Sequence, residues 1–362
     1  MKILRDYFLG EFIFPFFLAL GVLTFVMLLG NLLKITDLII NKGVDIFSVM
    51  KLFLLMVPYL LTYTLPIAAL AATLISLGRL SGDNEIVAIK ACGIHMLRLL
   101  SPLLTLGMML SLVLVIFNDR VIPYAHYATR KTLMEVGVKN PAAALEPGVF
   151  INAFEKYVLF IYNIEGNKLS NIRIYEPQDE GPTRTIVAKR GEFILIPEKK
   201  TVKLKLMDGT ADEPDPDNPS NFYKLNFKTY FMSLNLSKQE SGEINKKPKD
   251  MTLQELRREA GRLKKDRIDP APILTEIHKK ISLALSCFVF ILVGASVAVI
   301  TRRREKSINF GIAFLIVGLY YLMFIGAEAL SLQGRLPPAV VMWLPNIIMG
   351  ISGALLVRKV CA

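Results

Sequence analysis

The chain has 362 residues, 53% of them hydrophobic and 20% charged, with a formal net charge of +12 and a mean hydropathy of +0.44. Soluble domains usually carry about 45–50% apolar and about 25% charged residues, and here the excess is concentrated in six stretches without Asp, Glu, Lys or Arg. Each is about 20 residues or longer, the length a helix needs to cross about 30 Å of hydrocarbon. An ordinary soluble enzyme, a disordered chain and a disulfide-stapled secreted scaffold are thereby excluded.

The first stretch, Phe12–Leu33, follows Lys2 and Arg5 and so has the flank of a signal peptide. At 22 residues it is long for one, and only Asn31-Leu32-Leu33-Lys34 follows where a small-residue cleavage site would stand, so it reads as a retained span. Leu52–Gly78 is the second span and Leu99–Asn118 the third. Between these two, Asp83 after Gly82 is an N-cap candidate for a short amphipathic helix over residues 83–96. Such a helix suits docking into a groove on a partner, with Glu85 offering a charge and Gly93 permitting close backbone approach. Composition alone favours an interfacial helix lying on lipid headgroups.

From Val149 to Leu236 the pattern changes to short alternating runs: Tyr157–Ile164, Asn171–Tyr175, Arg184–Lys189, Glu192–Ile196, Thr201–Met207 and Tyr223–Met232. In Thr201-Val202-Lys203-Leu204-Lys205-Leu206 the apolar side chains fall on one face and the lysines on the other. Turns are expected at Glu165-Gly166-Asn167, Glu180-Gly181-Pro182, Asp208-Gly209 and Pro214–Pro219. Strands at this spacing suggest a sandwich, jelly roll or open barrel. Phe150, Tyr157, Leu159, Ile161, Phe193 and Leu195 alternate as one apolar face, either a lining for acyl chains or simply the core of the domain. Thr252 and Glu255 then form a capping-box pattern ahead of the stripe Leu253, Leu256, Ala260 and Leu263, and Asp269-Pro270-Ala271-Pro272 ends that helix. Three further spans follow: Ile281–Thr301, Ser307–Ala327 and Leu336–Val357.

Short loops on the N-terminal side hold Lys2, Arg5, Arg79, Lys90, Arg98, Arg302, Arg303, Arg304, Lys306, Arg358 and Lys359; the opposite loops hold Lys34, Lys42, Lys51 and Arg335. Eleven against four puts both termini in the cytoplasm and the long insert outside. The positive balance then suits lipid headgroups or an anionic substrate. Cys92, Cys287 and Cys361, with His95, His126 and His278, show no metal-ligand spacing. No phosphate-binding G-x-x-x-x-G-K-[ST] loop, HExxH or G-x-S-x-G occurs. Glu328, at the outer end of the fifth span, is the nearest approach to an intramembrane acid and reads as an interfacial carboxylate. No catalytic, metal or cofactor site is expected.

Asn84-Glu85-Ile86-Val87-Ala88-Ile89-Lys90-Ala91-Cys92-Gly93 resembles the coupling helix of the lipopolysaccharide-export permease family, LptF/LptG (YjgP/YjgQ). The resemblance extends over nearly the whole chain. It takes in Arg5-Asp6-Tyr7, the Pro66-containing second span before Leu77-Gly78-Arg79-Leu80, Glu276-Ile277-His278-Lys279-Lys280 and Leu336-Pro337-Pro338. Asn140-Pro141-Ala142-Ala143-Ala144-Leu145, with Ala91-Cys92-Gly93, leans toward the LptF branch.

The resemblance implies a six-helix membrane protein, three plus three, with an inserted periplasmic jelly-roll-like β domain. The corresponding division is a transmembrane half over 1–119, a β domain over 120–250, a connecting helix over 251–275 and a second half over 276–362. It implies an inner-membrane permease that works with a sister permease, a cytoplasmic ATPase homodimer that binds the ATP, and periplasmic bridge proteins with jelly-roll domains. Lipopolysaccharide would be extracted from the membrane and squeezed into the β domains. Asp83, Glu85, Ile86, Ile89, Lys90 and Gly93 would couple to the ATPase. Lys34, Lys42, Lys279 and Lys280 would attract lipid phosphates, with Lys34 where the family places a basic residue toward them, although snorkelling also explains it. Phe150, Leu159 and Ile161 would meet acyl chains. The residues by themselves also fit a membrane-anchored sensor or scaffold with a lipid-binding β domain.

Overall fold

The computed structural model describes residues 2–40, 45–139, 148–154, 157–165, 168–177, 183–196, 201–214, 222–234, 246–301, 306–334 and 336–361. Its helices are α1 (Lys2–Ile40), α2 (Ile46–Gly82), α3 (Glu85–Ala91), α4 (Met96–Ile116), α5 (Ile122–Lys139), α6 (Leu253–Lys265), α7 (Ala271–Thr301), α8 (Lys306–Leu332), α9 (Pro338–Val341) and α10 (Leu344–Cys361). Among the described residues, six helical segments are long and apolar enough to cross a membrane: Ile3–Asn31, Ile46–Gly82, Met96–Leu133, Ala271–Thr301, Gly311–Leu332 and Pro338–Lys359. The chain divides into two compact units, one of residues 1–30, 55–127 and 246–362, the other of residues 31–54 and 128–245.

In the first unit α2 and α7 are the inner helices, each with 72% of its apolar window buried, against 11% for α1 and 22% for α8. Small residues let the backbones close up: Gly294 of α7 lies against Leu70 and Thr73 of α2, Gly107 of α4 against Ile291, and Gly353 of α10 against Leu292 and Val293. Polar groups here are paired across helices. Asn346 donates to the Ser282 carbonyl at 2.7 Å and accepts from Tyr320 Oη at 3.1 Å, while Thr275 and Ser331 share a hydrogen bond of 2.7 Å. Such bonds within a membrane stabilise by about 0.6 kcal/mol each, up to about 2, and leaving a polar group unpaired there costs more.

The third span does not end at Asn118. It passes through a π-helical turn, Phe117–Val121, and continues as α5, so residues 122–139, assigned by the sequence reading to the β domain, are helical. Pro123 explains the turn, because its missing N–H and its ring interrupt the i→i−4 ladder just there.

The second unit contains one six-stranded antiparallel sheet: β1 (Phe150–Phe154), β2 (Tyr157–Glu165), β3 (Lys168–Glu176), β4 (Arg184–Ile196), β5 (Thr201–Pro214) and β6 (Phe222–Leu234). The strands lie in chain order, so every pairing among the described residues is between chain neighbours. Asp208-Gly209 does not end a strand, and Arg184–Lys189 and Glu192–Ile196 are one strand. What the sequence marks as breaks are corners. Asn171 and Asp208 have φ of 53° and 55°. Asn171 lies between the pairs Ser170↔Arg190 and Ile172↔Ala188, and Asp208 between Arg190↔Met207 and Ala188↔Gly209. Both therefore sit in one row across the sheet, and Asn and Asp tolerate the left-handed region that this bend needs.

Across the row the inward positions change parity. Leu169 is buried on one side and Ile172 and Ile174 on the other; in β5, Leu204 and Leu206 give way to Ala211. Both limbs contribute to a single apolar cluster that includes Leu159, Ile161, Ile186 and Met232. Inside the corner there is no room: a Cβ on Gly209 would lie 2.5 Å from the Val187 carbonyl oxygen and would strike the Phe227 ring. Gly209→Ala is therefore expected to destabilise this sheet by about 1–3 kcal/mol, the usual cost of overpacking, whereas Asp208→Gly keeps the backbone conformation and loses an exposed, solvent-screened pair with Arg190, so its effect should be much smaller. Limited proteolysis of the whole protein in detergent, comparing cleavage within residues 150–234, checks both.

Candidate functional site

Two polar clusters stand at opposite ends of the helices of the first unit. The first surrounds α3. Its N-cap is Asn84 at φ 60°, not Asp83; Asn accepts the left-handed backbone that reverses the chain after α2. The helix then stops sooner than residue 96. Gly93 at φ 78° closes it with bonds from Gly93 N to the Lys90 carbonyl (2.9 Å) and Ile94 N to the Ile89 carbonyl (3.4 Å), a Schellman arrangement that favours glycine. Gly93 thus has a conformational role of its own. His95 caps the next helix, its Nδ1 accepting from Leu97 N at 3.2 Å.

The faces of α3 differ. Ile86 is buried in the main apolar cluster and Ile89 packs against it. Asp83, Val87, Ala88, Lys90 and Ala91 are exposed. Glu85 is half-buried and turned toward α1: Tyr7 Oη donates to its Oε2 at 2.9 Å. Arg79 Nη2, on the last turn of α2, donates to Tyr7 Oη at 3.4 Å and pairs with Glu11 Oε1 at 2.7 Å. Of the sequence-predicted coupling residues, Asp83 and Lys90 face outward, and Ile86 and Ile89 face the bundle. Tyr7, Glu11 and Arg79 join them.

The second cluster is built on the π turn. Asn118 is buried, accepts from Thr62 Oγ1 at 3.1 Å and donates to the Lys280 carbonyl at 3.0 Å. Asp119 Oδ1 accepts from Leu253 N at 2.6 Å, holding the first turn of α6 to the end of α4. Lys280 is 6% exposed, and its Nζ donates to the Met251 carbonyl. Lys279 pairs with Glu328 of α8. Both lysines, selected from the sequence as cations for a lipid phosphate, are thus engaged within the chain, since a buried ammonium is costly unless paired. Tyr59, Tyr63, His126 and Glu276 line a cleft beside them.

The chain matches the family described as lipopolysaccharide export system permease LptF/LptG over residues 6–359. The chain belongs to the LptF/LptG family. Among its relatives, the lipopolysaccharide export system permease protein LptF of Escherichia coli K12 is 22% identical over 332 residues, covering 91% of this chain and 87% of the relative. The protein of the same name from Shigella flexneri gives the same figures. The chain is thus a multi-pass membrane permease of the LptF/LptG family.

The remaining sequence-selected positions of this LptF/LptG chain lie elsewhere. Lys34 is in the last turns of α1, its side chain outside the described residues, and Lys42 lies outside them altogether. Leu159 and Ile161 are fully buried in the core of the sheet. Phe150 is not on their face. It pairs in register with Phe160, and partners directly opposite point to the same side, so it is turned away from Leu159 and Ile161. Its ring is 60% exposed and stacks near Phe160 and Tyr175. The side chains of Phe193 and Leu195 are outside the described residues. Among the described residues no three His, Cys, Asp or Glu side chains gather as a metal site.

The capping box that fixes α6 in the LptF/LptG chain is titratable. Thr252 Oγ1 accepts from Glu255 N, and the Glu255 carboxylate accepts from Thr252 N at 2.8 Å and from Lys246. The Lys246 bond first, then the Thr252 amide, hold the Glu255 carboxyl below its ordinary value of 4.5. Folding favours the ionised form, so this support is full above the ordinary value and is lost as pH falls through the depressed one. Hydrogen-exchange protection of the first turn of α6, normalised to intrinsic rates, should therefore decline below pH 4.5 in the whole protein. In Glu255→Gln that decline should be absent.

Proposed function

We propose that this permease acts in the LptF position of the lipopolysaccharide exporter, paired with a sister permease and driven by a cytoplasmic ATPase homodimer that binds the ATP. The permease has its termini in the cytoplasm and its β domain in the periplasm. Lipopolysaccharide leaves the membrane between the two permeases and is handed through the β domains to periplasmic bridge proteins. The carrying observation is the form of α3, a two-turn helix between two spanning helices with Ile86 seated in the main core and Asp83, Val87 and Lys90 exposed. A helix so anchored transmits a push on its outer face to the bundle. Membership of the LptF/LptG family over nearly the whole chain and the LptF name of the relatives support the same reading.

Lys34 and Lys42 are the cations this reading assigns to the lipid phosphates. An ammonium serves there as a point charge without demanding bidentate geometry. Leu159 and Ile161, enclosed in the bent sheet, would meet acyl chains only if its two limbs part. Lys279 and Lys280 serve the binding region indirectly, by fixing α7 to α8 and to the segment before α6.

Purification from the native membrane, with mass spectrometry of protein and lipid, tests the assembly. A sister permease, an ATPase and bound lipopolysaccharide are expected; the protein alone or with ordinary phospholipid would sink the proposal and favour a sensor. Lys34→Glu is expected to leave that assembly intact and to weaken photocrosslinking to lipopolysaccharide roughly tenfold, about 1.4 kcal/mol. Undiminished crosslinking in the assembled variant would remove Lys34 from the binding site.

A further inference from the structure

α1 is the most weakly enclosed of the spanning helices, with 11% of its apolar window buried. One stripe of it, Phe8, Phe12 and Phe16, enters the main apolar cluster. Farther along, Thr24 and Thr64 share a hydrogen bond of 3.2 Å. At its N-terminal end it is bound through Tyr7 to Glu85 and Arg79, and through Glu11 to Arg79. This cluster differs from the other two attachments in joining α1 to α3 by a direct polar bond. The chain itself gives α3 short connections to α2 and α4 only. Tyr7 and Glu85 are 78 residues apart, so a displacement of α3 reaches α1 through non-covalent contact alone. The acid at the first turn of α3 is spent on that contact.

We propose that Tyr7 is a positioning residue that ties α1 to the coupling helix, so that a stroke received by α3 moves α1 together with α2 and α4. The inference rests on the permease–ATPase reading above. In it, Glu85 is the link by which α3 takes α1 along, while Asp83, Val87 and Lys90 form the face a partner meets. Arg79 sets the geometry: it donates to Tyr7 and pairs with Glu11 one turn further along α1, which orients the phenol hydroxyl so that its proton points at the Glu85 carboxylate. Because Phe8, Phe12 and Phe16 keep α1 in the main apolar cluster, loss of one hydroxyl is expected to separate ATP use from movement of this helix with α3 without dispersing the core.

The experiment uses the complete co-purified complex in liposomes, with purified lipopolysaccharide as the probe. In Tyr7→Phe the complex should assemble and hydrolyse ATP at the basal rate, while lipid released per ATP falls at least about fivefold, the lower end of ordinary site-to-site coupling. The double variant Tyr7→Phe with Glu85→Gln should fall no further than the lower of the two single variants, because both remove one bond. Spin labels on Cys92, which is exposed, and on Ile3→Cys, at a position 86% exposed, with Cys361 replaced by Ser, report the tie directly. Their separation should be the same with and without trapped nucleotide in the otherwise wild-type complex and should change on trapping in Tyr7→Phe. Unchanged lipid per ATP in Tyr7→Phe, additive losses in the double variant, or a label separation that shifts equally in both proteins would overturn this inference alone. A wild-type preparation lacking any ATPase would overturn the functional reading as well.

Discussion

Hydrocarbon supplies no hydrogen-bond partner, and that constraint organises the helical unit. Every polar side chain admitted between the helices must find its partner on a neighbouring helix or within its own turn. The chain meets this with small residues and a few shared bonds centred on α7: Ser282 and Asn346 with Tyr320, Thr275 with Ser331, and Ser296 with the Gly353 carbonyl at 3.3 Å. These bonds use up polar capacity within the bundle. The charged side chains that do interact across helices are displaced to its two ends, around Arg79 and around Lys280.

The sheet answers a different constraint. Apolar side chains must be enclosed on one face, and a six-stranded meander of single curvature leaves that face open. Turning strands β2 to β6 through a corner along the row of Asn171 and Asp208 lets the two limbs cover each other. The solution demands a residue that tolerates positive φ on the outside of the bend and no side chain at Gly209 on the inside. An interior of this kind encloses the sheet's own apolar side chains without a second sheet.

Much of this was legible in the residues. Long uncharged stretches can only be satisfied as spanning helices, and the alternation in Thr201–Leu206 can only serve a sheet with one enclosed face. The Thr252–Glu255 capping box needs no tertiary context and forms as read. What could not be read depends on partners distant in the chain. Asp208-Gly209 has the local chemistry of a hairpin turn, and only unbroken pairing with β4 and β6 makes it a corner within a strand. Phe150 was placed on the wrong face because β1 is joined to β2 through an irregular register between Ile151 and Phe154, so counting alternation across the hairpin misleads. Lys279 and Lys280 look like free basic charge until α8 and the segment before α6 supply Glu328 and the Met251 carbonyl. Tyr7 is marked in the sequence only as part of the Arg5-Asp6-Tyr7 resemblance, with no role of its own. Its significance comes from a residue 78 positions later.

The two polar clusters are mechanically connected through α2. Thr62 holds Asn118 of the π turn at one end of this helix, and Arg79 holds Tyr7 and Glu11 at the other. Seventeen residues of helix at 1.5 Å each place these attachments about 26 Å apart, nearly the thickness of the hydrocarbon. Between them α2 is among the most enclosed of the spanning segments described. The π turn interrupts the regular ladder between α4 and α5, and Asn118 and Asp119 bind it to α2, α7 and the start of α6. One end of α2 thus meets the cluster at α3, and the other meets the turn to which α6 is fastened.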